Sequence, residues 1–393
     1  MLERLATLRS GSIRLRERGA TLELGDVRGR LGTVELEVAS PEFWTSLACA
    51  GGVGAGESFV AGHWSSPDLV RLLRLLVADR DVLLAVDRGL LSLPRRLLLR
   101  AGHWLRDNTR IGSARNIAGH YDLGDELFAQ FLDPTMTYSS AWFAGPDCSL
   151  EDAQREKLRR LCRLVDLAPG DRLLEIGTGW GSLAVCAARE FGAHVTTTTI
   201  SKNQFAAAKE RARTAGVAHS VQVLQRDYRD LEGTFDKVLS CEMIEAVGAK
   251  WLPTFLRVAA ARLRPGGLFG LQAITIRDQH YARAVRSVDY VKRHVFPGSF
   301  IPSVAAIVAA AAANTDFRLV QMVDFGDHYA TTLARWRAAM HMHPGAFRER
   351  GGDALLRAWD FYFAYCEAGF RERNLGVCQL RFERAGGARS VTP

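Results

Sequence analysis

The sequence predicts an α/β fold: a mostly parallel sheet covered by helices on both faces, preceded by a smaller α+β domain. Three observations predict it. From about Pro169 onward, short apolar runs alternate with helical patterns of roughly 10–15 residues, the rhythm of βαβ units. The first of these runs passes into three alternate glycines, Gly177, Gly179 and Gly181, and then into a helical pattern over Ser182 to Phe191. Residues Ile13 to Val38 instead alternate loosely in polarity and read as short strands close together in the chain.

In chain order, strands are expected at Ile13–Leu15, Ala20–Leu24 and Gly32–Val38. Gly51 to Gly56 reads as a glycine-rich break. Pro67 to Asn108 reads as helical, with Leu and Val on one face and Arg on the other, interrupted at Pro94. The run Pro94–Arg106 is basic and apolar and carries Trp104. Such a segment can lie on an anionic bilayer, and an amphipathic helix packed on a neighbouring domain has the same pattern. Further on, seven strands are expected at 172–176, 193–200, 221–225, 235–241, 267–275, 317–325 and 375–383, with helices at 203–216, 250–264, 330–340 and 353–373. Arg277 to Asn314 interrupts the rhythm as a mostly helical insertion. The chain is expected to divide into domains 1–110 and 111–393.

Bulk composition excludes several classes. Of 393 residues, 48% are hydrophobic and 24% charged, as in an ordinary globular protein. The net charge of +8 favours an anionic partner, such as an anionic lipid surface, or is simply an Arg-rich solvated exterior. No nucleic-acid recognition motif accompanies it. The seven Cys form no C-x-x-C and no zinc-ligand spacing, so reduced thiols in a cytoplasmic setting are expected. The start of the chain has no signal-peptide pattern, and no apolar run is long enough to span a bilayer. His341 and His343 have no third ligand, so no metal site is expected.

In open α/β sheets, ligands sit beyond the carboxyl ends of the strands. The glycine turn is not the G-x-G-x-x-G that seats a pyrophosphate. Glu175, two residues before the first glycine, suits a cationic ligand such as the amino group of S-adenosylmethionine (SAM). The next strand ends in Thr199 to Gln204, the third in Asp227-Tyr228, and the fourth in Ser240 to Gly248.

At these residues the chain resembles the cyclopropane-fatty-acyl-phospholipid synthase family. Gly56-Glu57-Ser58 through Trp64 resembles that family's GES-x-x-x-G-x-W motif. His120-Tyr121-Asp122-Leu123 and Met136-Thr137-Tyr138-Ser139-Ser140 resemble its HYD…TYSC region. The glycine turn, Cys241–Gly248, Phe296-Pro297-Gly298 and Phe325–Tyr329 follow in the family's order. Glu242 to Gly248 and Leu271-Gln272 look closest to its plant-type and actinobacterial branch.

The resemblance implies a Rossmann-like class I SAM-dependent methyltransferase with a seven-stranded, mostly parallel sheet and an acyl-chain-covering insertion at 277–315. It implies that the alkene of an unsaturated phospholipid attacks the methyl of SAM, and that bound bicarbonate then takes a proton to give a cyclopropane. Glu245 matches the bicarbonate-binding Glu and Tyr329 the Tyr. Gln272 stands where many members have His, and Ser140 where they have Cys. Ile274 falls at a neighbouring backbone contact. Gln272 cannot titrate near neutrality and is expected to hold rather than to act as a base. Tyr121, Tyr138 and Ser139 are implied over the cofactor. Gly177 and Gly179 are implied along its methionine part, Thr199 and Gln204 near the ribose, and Asp227 and Tyr228 at the adenine; Gly181 completes the cofactor-binding turn, and Glu175 is implied to orient that turn. Aromatic faces can stabilise a carbocation, and Trp142, Tyr281, Tyr290, Phe296 and Phe300 are candidates for that or for plain core packing. The same methyl transfer can end in a methylene branch, which a separate reductase would convert to a methyl branch. A reading of another class is a non-catalytic SAM- or lipid-binding homologue. The amino-terminal domain is expected to serve membrane docking, on the inner face of the membrane, or formation of a homodimer.

Overall fold

The structure is a computed structural model and describes residues 2–82, 108, 109, 112 and 124–386. The run Pro94–Arg106, and Tyr121 with the rest of the His120–Leu123 motif, lie outside the described residues. The chain forms two compact units.

The first unit comprises residues 1–106, 286–297 and 330–375. Its strands β1 (Ser12–Glu17), β2 (Ala20–Gly25), β3 (Thr33–Val38) and β4 (Trp64–Ser65) form a sheet in the order β2-β1-β3-β4. β1 runs antiparallel to β2 and parallel to β3. Ile13, Leu15, Val34 and Leu36 are buried, as alternation requires of a sheet with one covered face. The glycine-rich segment interrupts a helix at its first residue, where Gly51 leaves helical φ/ψ. It lies inside α1 (Glu42–Val60), which kinks at Gly51. Close packing explains the last glycine: a Cβ on Gly56 would stand 2.4 Å from the Tyr290 ring. Asp68 caps α2 (Leu69–Ala78) by accepting the Arg71 N–H.

The second unit comprises residues 107–285, 298–329 and 376–393. Its strands are β5 (Arg172–Ile176), β6 (His194–Thr199), β7 (Val221–Gln225), β8 (Phe235–Cys241), β9 (Leu263–Ile276), β10 (Phe317–Asp324) and β11 (Leu375–Arg384), the last beginning at the unit boundary. They form one sheet in the order β10-β11-β9-β8-β5-β6-β7. β5 pairs in parallel with β6 and β8, β6 with β7, and β8 with β9, and β10 pairs antiparallel with β11. Sequence and structure agree on all seven strands to within a few residues. The helices of this unit are α3 (Leu150–Leu164), α4 (Ser182–Phe191), α5 (Lys202–Thr214), α6 (Leu252–Arg262), α7 (Asp278–Arg286) and α8 (Val304–Asn314).

Adjacent residues of β5 show why both faces need cover. Leu173 joins a core with Leu161 of α3 and Leu183 and Ala187 of α4. Leu174 joins the opposite core with Phe255 of α6 and Ile307 of α8. The Ala-rich end of the insertion therefore packs into the sheet's own core through Ile307 and Ala311. Residues 286–297 and 330–375, expected within the second domain, cluster instead with the amino-terminal residues. They include most of α9 (Gly326–Met342) and all of α10 (Pro344–Arg371). Aromatic packing accounts for this grouping. Phe361 of α10 meets Phe59, Trp64 and Tyr290, and Arg74 of α2 donates to Glu372 at 2.8 Å.

Phe269 of β9 is fully buried between Phe317 and Phe382, with ring centroids 5.5 and 6.0 Å away. Replacing it by Ala opens a cavity where three strands meet. Phe269→Ala should lose about 3–5 kcal/mol of unfolding free energy in urea titrations, whereas a loss within error would mean that this face does not carry the core.

Candidate active site

The glycine turn follows β5 directly, as a strand–turn–helix unit should. Gly177, Gly179 and Gly181 all take positive φ, at 98°, 53° and 88°. Two of them are also packed tightly: a Cβ on Gly177 would meet Met243, and one on Gly181 would meet Ala208, each at 3.0 Å. At Gly179 a Cβ would meet nothing within 4 Å, so its backbone faces open space. α4 then begins at Gly181 with no side-chain cap, which leaves its first N–H groups to a ligand or solvent.

Glu175 is 2% exposed, and its Oε2 accepts no hydrogen bond among the described residues. Burial pushes its carboxyl up to about 8, against the opposing influence of Thr197 and the charge of Lys157. A buried acceptor of this kind at the glycine turn suits a cationic amine. Thr199 donates to Gln204 Oε1 at 2.9 Å, so these two buried residues form one polar patch at the end of β6. Asp227 caps the following 3₁₀ turn through the Arg229 N–H and pairs with the Arg229 guanidinium at 2.7 Å. Tyr228 packs edge-on to Phe255, and burial raises its hydroxyl to about 12.

Beyond β8 and β9 lies a cluster of carboxyl groups. Glu242 Oε1 accepts the Ser140 N–H at 3.0 Å and the Gln272 amide at 2.7 Å. Its Oε2 accepts the Tyr329 hydroxyl at 2.9 Å. Gln272 is oriented in turn by Gln379, whose amide donates to Gln272 Oε1 at 3.0 Å. Glu245 accepts the Ile274 N–H at 2.5 Å, and its Oε2 has no hydrogen-bond partner among the described residues. Ser140, Gln272, Ile274, Tyr329 and Glu245, assembled here from four separate stretches of chain, are thus brought together.

The electrostatics divide the two acids. Burial raises both carboxyls, and the neighbouring Glu242 charge raises Glu245 well above the usual range. The charge of Lys157 and three hydrogen-bond donors oppose this rise at Glu242. Adjacent desolvated carboxyls cannot both ionise cheaply, so Glu242 gives up its proton more readily than Glu245. Tyr329 is held far above its ordinary range by burial and by Glu242, so it stays a donor.

Glu242 was not singled out from the sequence, although it stands in the same motif as Glu245. Its signal is an acid at a strand's carboxyl end, three residues from a second acid. Its φ of 49° is left-handed, a conformation that costs a residue with a Cβ about 1–3 kcal/mol and clusters at functional sites. Lys157 was missed because α3 is rich in charge and nothing marks one lysine as buried. It is fully buried and donates to Ser139 Oγ at 2.5 Å. Tyr138 packs edge-on against Phe128 and Phe131. Trp142 stacks on His328 at 4.8 Å beneath the Arg160 guanidinium. Phe300 is buried in the core, and its N–H donates to the Glu245 carbonyl at 3.0 Å, while Tyr281 packs on the same core. Tyr290 and Phe296 belong to the first unit, against Phe361 and Tyr362.

The Glu175 carboxyl sets a pH signature. A carboxyl raised on folding contributes stability that is complete below its ordinary value and is lost as pH rises through about 8. Relative to Glu175→Gln, the ligand-free wild type should lose roughly 1–4 kcal/mol of unfolding free energy between pH 4.5 and pH 8. Parallel stability curves in urea would show that Glu175 ionises at its ordinary pH.

Comparison with known proteins places this geometry. Residues 108–380 match the family described as mycolic acid cyclopropane synthetase. The tuberculostearic acid methyltransferase of Mycobacterium tuberculosis is 39% identical, over 85% of this chain and 79% of its own length. The cyclopropane-fatty-acyl-phospholipid synthase of Escherichia coli is 32% identical, over 89% of this chain and 88% of its own. A solved mycolic acid cyclopropane synthase, complexed with S-adenosylhomocysteine (SAH) and CTAB, is 28% identical with a TM-score of 0.65 and covers 69% of this chain and 98% of its own. Coclaurine N-methyltransferase, 16% identical with a TM-score of 0.65 over 84% of this chain and 98% of its own, shares the fold. The sheet order, the glycine turn and these matches agree: the chain is a class I methyltransferase that uses SAM, and it belongs to the cyclopropane synthase family.

Proposed function

We propose that the protein transfers the methyl group of SAM to the cis double bond of an unsaturated phospholipid acyl chain. The observation that carries this reading is the half-buried carboxyl cluster beyond β8 and β9. One residue further along, Met243 packs against Gly177 of the turn proposed to hold SAM. An isolated alkene is a weak nucleophile and reacts only when held in line with the sulfonium methyl, away from water. The reaction then needs a proton acceptor within reach of the resulting cation, and a carboxylate held by three donors meets that need.

SAM supplies the electrophilic methyl when bound. Glu175 would accept its amino group, the glycine turn would admit its methionine part, and Thr199 with Gln204 would meet the ribose. Bicarbonate fits less well. Three of the groups expected to hold it, the Ser140 N–H, Gln272 and Tyr329, already donate to Glu242. No step is therefore assigned to that ion.

Loss of a proton from the new methyl group closes a cyclopropane, the product in our first reading. A second reading, loss of a chain proton to leave a methylene branch, is favoured by the 39% identity to a tuberculostearic acid methyltransferase. Among the described residues no helix is long and apolar enough to cross a membrane. The net charge of +8 supports peripheral docking on an anionic, cytoplasm-facing lipid surface.

Two experiments test this. Vesicles of unsaturated phospholipid incubated with protein and SAM should yield acyl chains heavier by one CH₂ in mass spectra. Proton NMR of that product should show high-field ring protons for the first reading or vinylidene protons for the second. SAM binding without any mass gain would overturn alkene methylation. Vesicle binding should also weaken steeply as ionic strength rises through the physiological range, and salt-independent sedimentation would contradict electrostatic docking.

A further inference from the structure

We propose that Glu242 is the proton acceptor of the methylation reaction, its carboxylate standing where a separate anion would otherwise have to bind. The inference rests on the alkene-methylation reading. It draws on four independent features of one side chain.

The first is the donor set. A backbone N–H, a primary amide and a phenol from three separate segments converge on the two oxygens of Glu242. An ionised carboxylate offers about four acceptor positions, and three are used here. Among the described residues Oε2 carries only the Tyr329 bond, which leaves a lone pair for an incoming proton. The second is the fixed orientation of the amide. Gln379 engages Gln272 Oε1, so the Gln272 NH₂ must point at Glu242. Gln379 is a positioning residue in this scheme, as is Lys157, whose buried charge favours the ionised form of Glu242.

The third feature is the backbone. Glu242 is one of five non-glycine residues with positive φ among the described residues, and it sits in the turn that leaves β8. A glycine would adopt this conformation without strain, so packing alone gives no reason for a glutamate. The fourth is position. Glu242 is half-buried at the carboxyl end of β8, and its neighbour Met243 touches the glycine turn. Glu242 thus lies one residue from the contact with the turn where the methyl donor is placed.

The step balances without a co-reactant. The alkene π pair forms a bond to the methyl carbon as the sulfur–methyl bond breaks, and its electron pair stays on sulfur to give SAH. The adjacent chain carbon becomes cationic. Glu242 takes a proton from the new methyl group or from the chain. The released C–H pair becomes the third ring bond or a double bond, and the proton later leaves Glu242 for solvent.

The test uses the full-length protein, Glu242→Gln and Glu242→Gly, with SAH affinity by calorimetry as the check on folding. In buffer stripped of carbon dioxide, wild-type turnover on dioleoyl phosphatidylglycerol vesicles should be undiminished and added bicarbonate should not raise it. Glu242→Gln should lose about 10²-fold or more of turnover with SAH affinity kept. Glu242→Gly opens the pocket and should regain turnover with bicarbonate or formate. Bicarbonate-stimulated wild-type turnover, or a fully active Glu242→Gln, would overturn the proposal. A second readout does not depend on turnover. The carbon-13 resonance of labelled bicarbonate should not broaden with the SAH-bound wild type and should broaden with Glu242→Gly. Broadening with the wild type would overturn the proposal even if the vesicles prove not to be substrates.

Discussion

The arrangement beyond β8 and β9 depends on one constraint: a carboxylate taken out of water must be compensated where it stands. Glu242 meets it with three hydrogen bonds and the charge of Lys157. Each donor fixes a different part of the chain. Ser140 anchors the segment before α3, Gln272 belongs to β9, and Tyr329 lies on the first turn of α9. Removing the carboxylate would leave these donors converging on nothing, so the acid orders its surroundings as much as they hold it.

The parallel sheet makes that convergence available. Strands running in one direction gather their carboxyl ends on one edge, and the turns leaving β5, β6, β7 and β8 all open there. Opposite faces of β5 are buried in two separate cores, which hold the strand rigidly while the turn after it stays open at Gly179. Two acids then take different tasks from different surroundings. Glu175 has burial and few donors, so it is primed for a cation. Glu242 has several donors, so it ionises more readily than Glu245 beside it.

Much of this was legible in the sequence. The period of the apolar runs located all seven strands, and the alternate glycines located the turn, because both patterns are local. Glu245, Gln272, Ser140, Ile274 and Tyr329 were legible as a group through family resemblance. What they surround was not. The role of Glu242 follows from where its side chain turns at a left-handed residue, which no spacing rule reports. The burial of Lys157 and the reach of Gln379 to Gln272 are tertiary facts of the same kind. The glycine-rich segment at 51–56 was legible as an interruption, which falls at Gly51, but the close approach of Gly56 to Tyr290 is again a tertiary fact.

The most direct test of the central claim is a crystal structure of the SAH complex grown in bicarbonate. The account predicts continuous density for the Glu242 side chain, with its two oxygens within hydrogen-bond distance of the Ser140 N–H, the Gln272 amide and the Tyr329 hydroxyl. A separate planar ion bonded to those three groups, with Glu242 turned away, would contradict it.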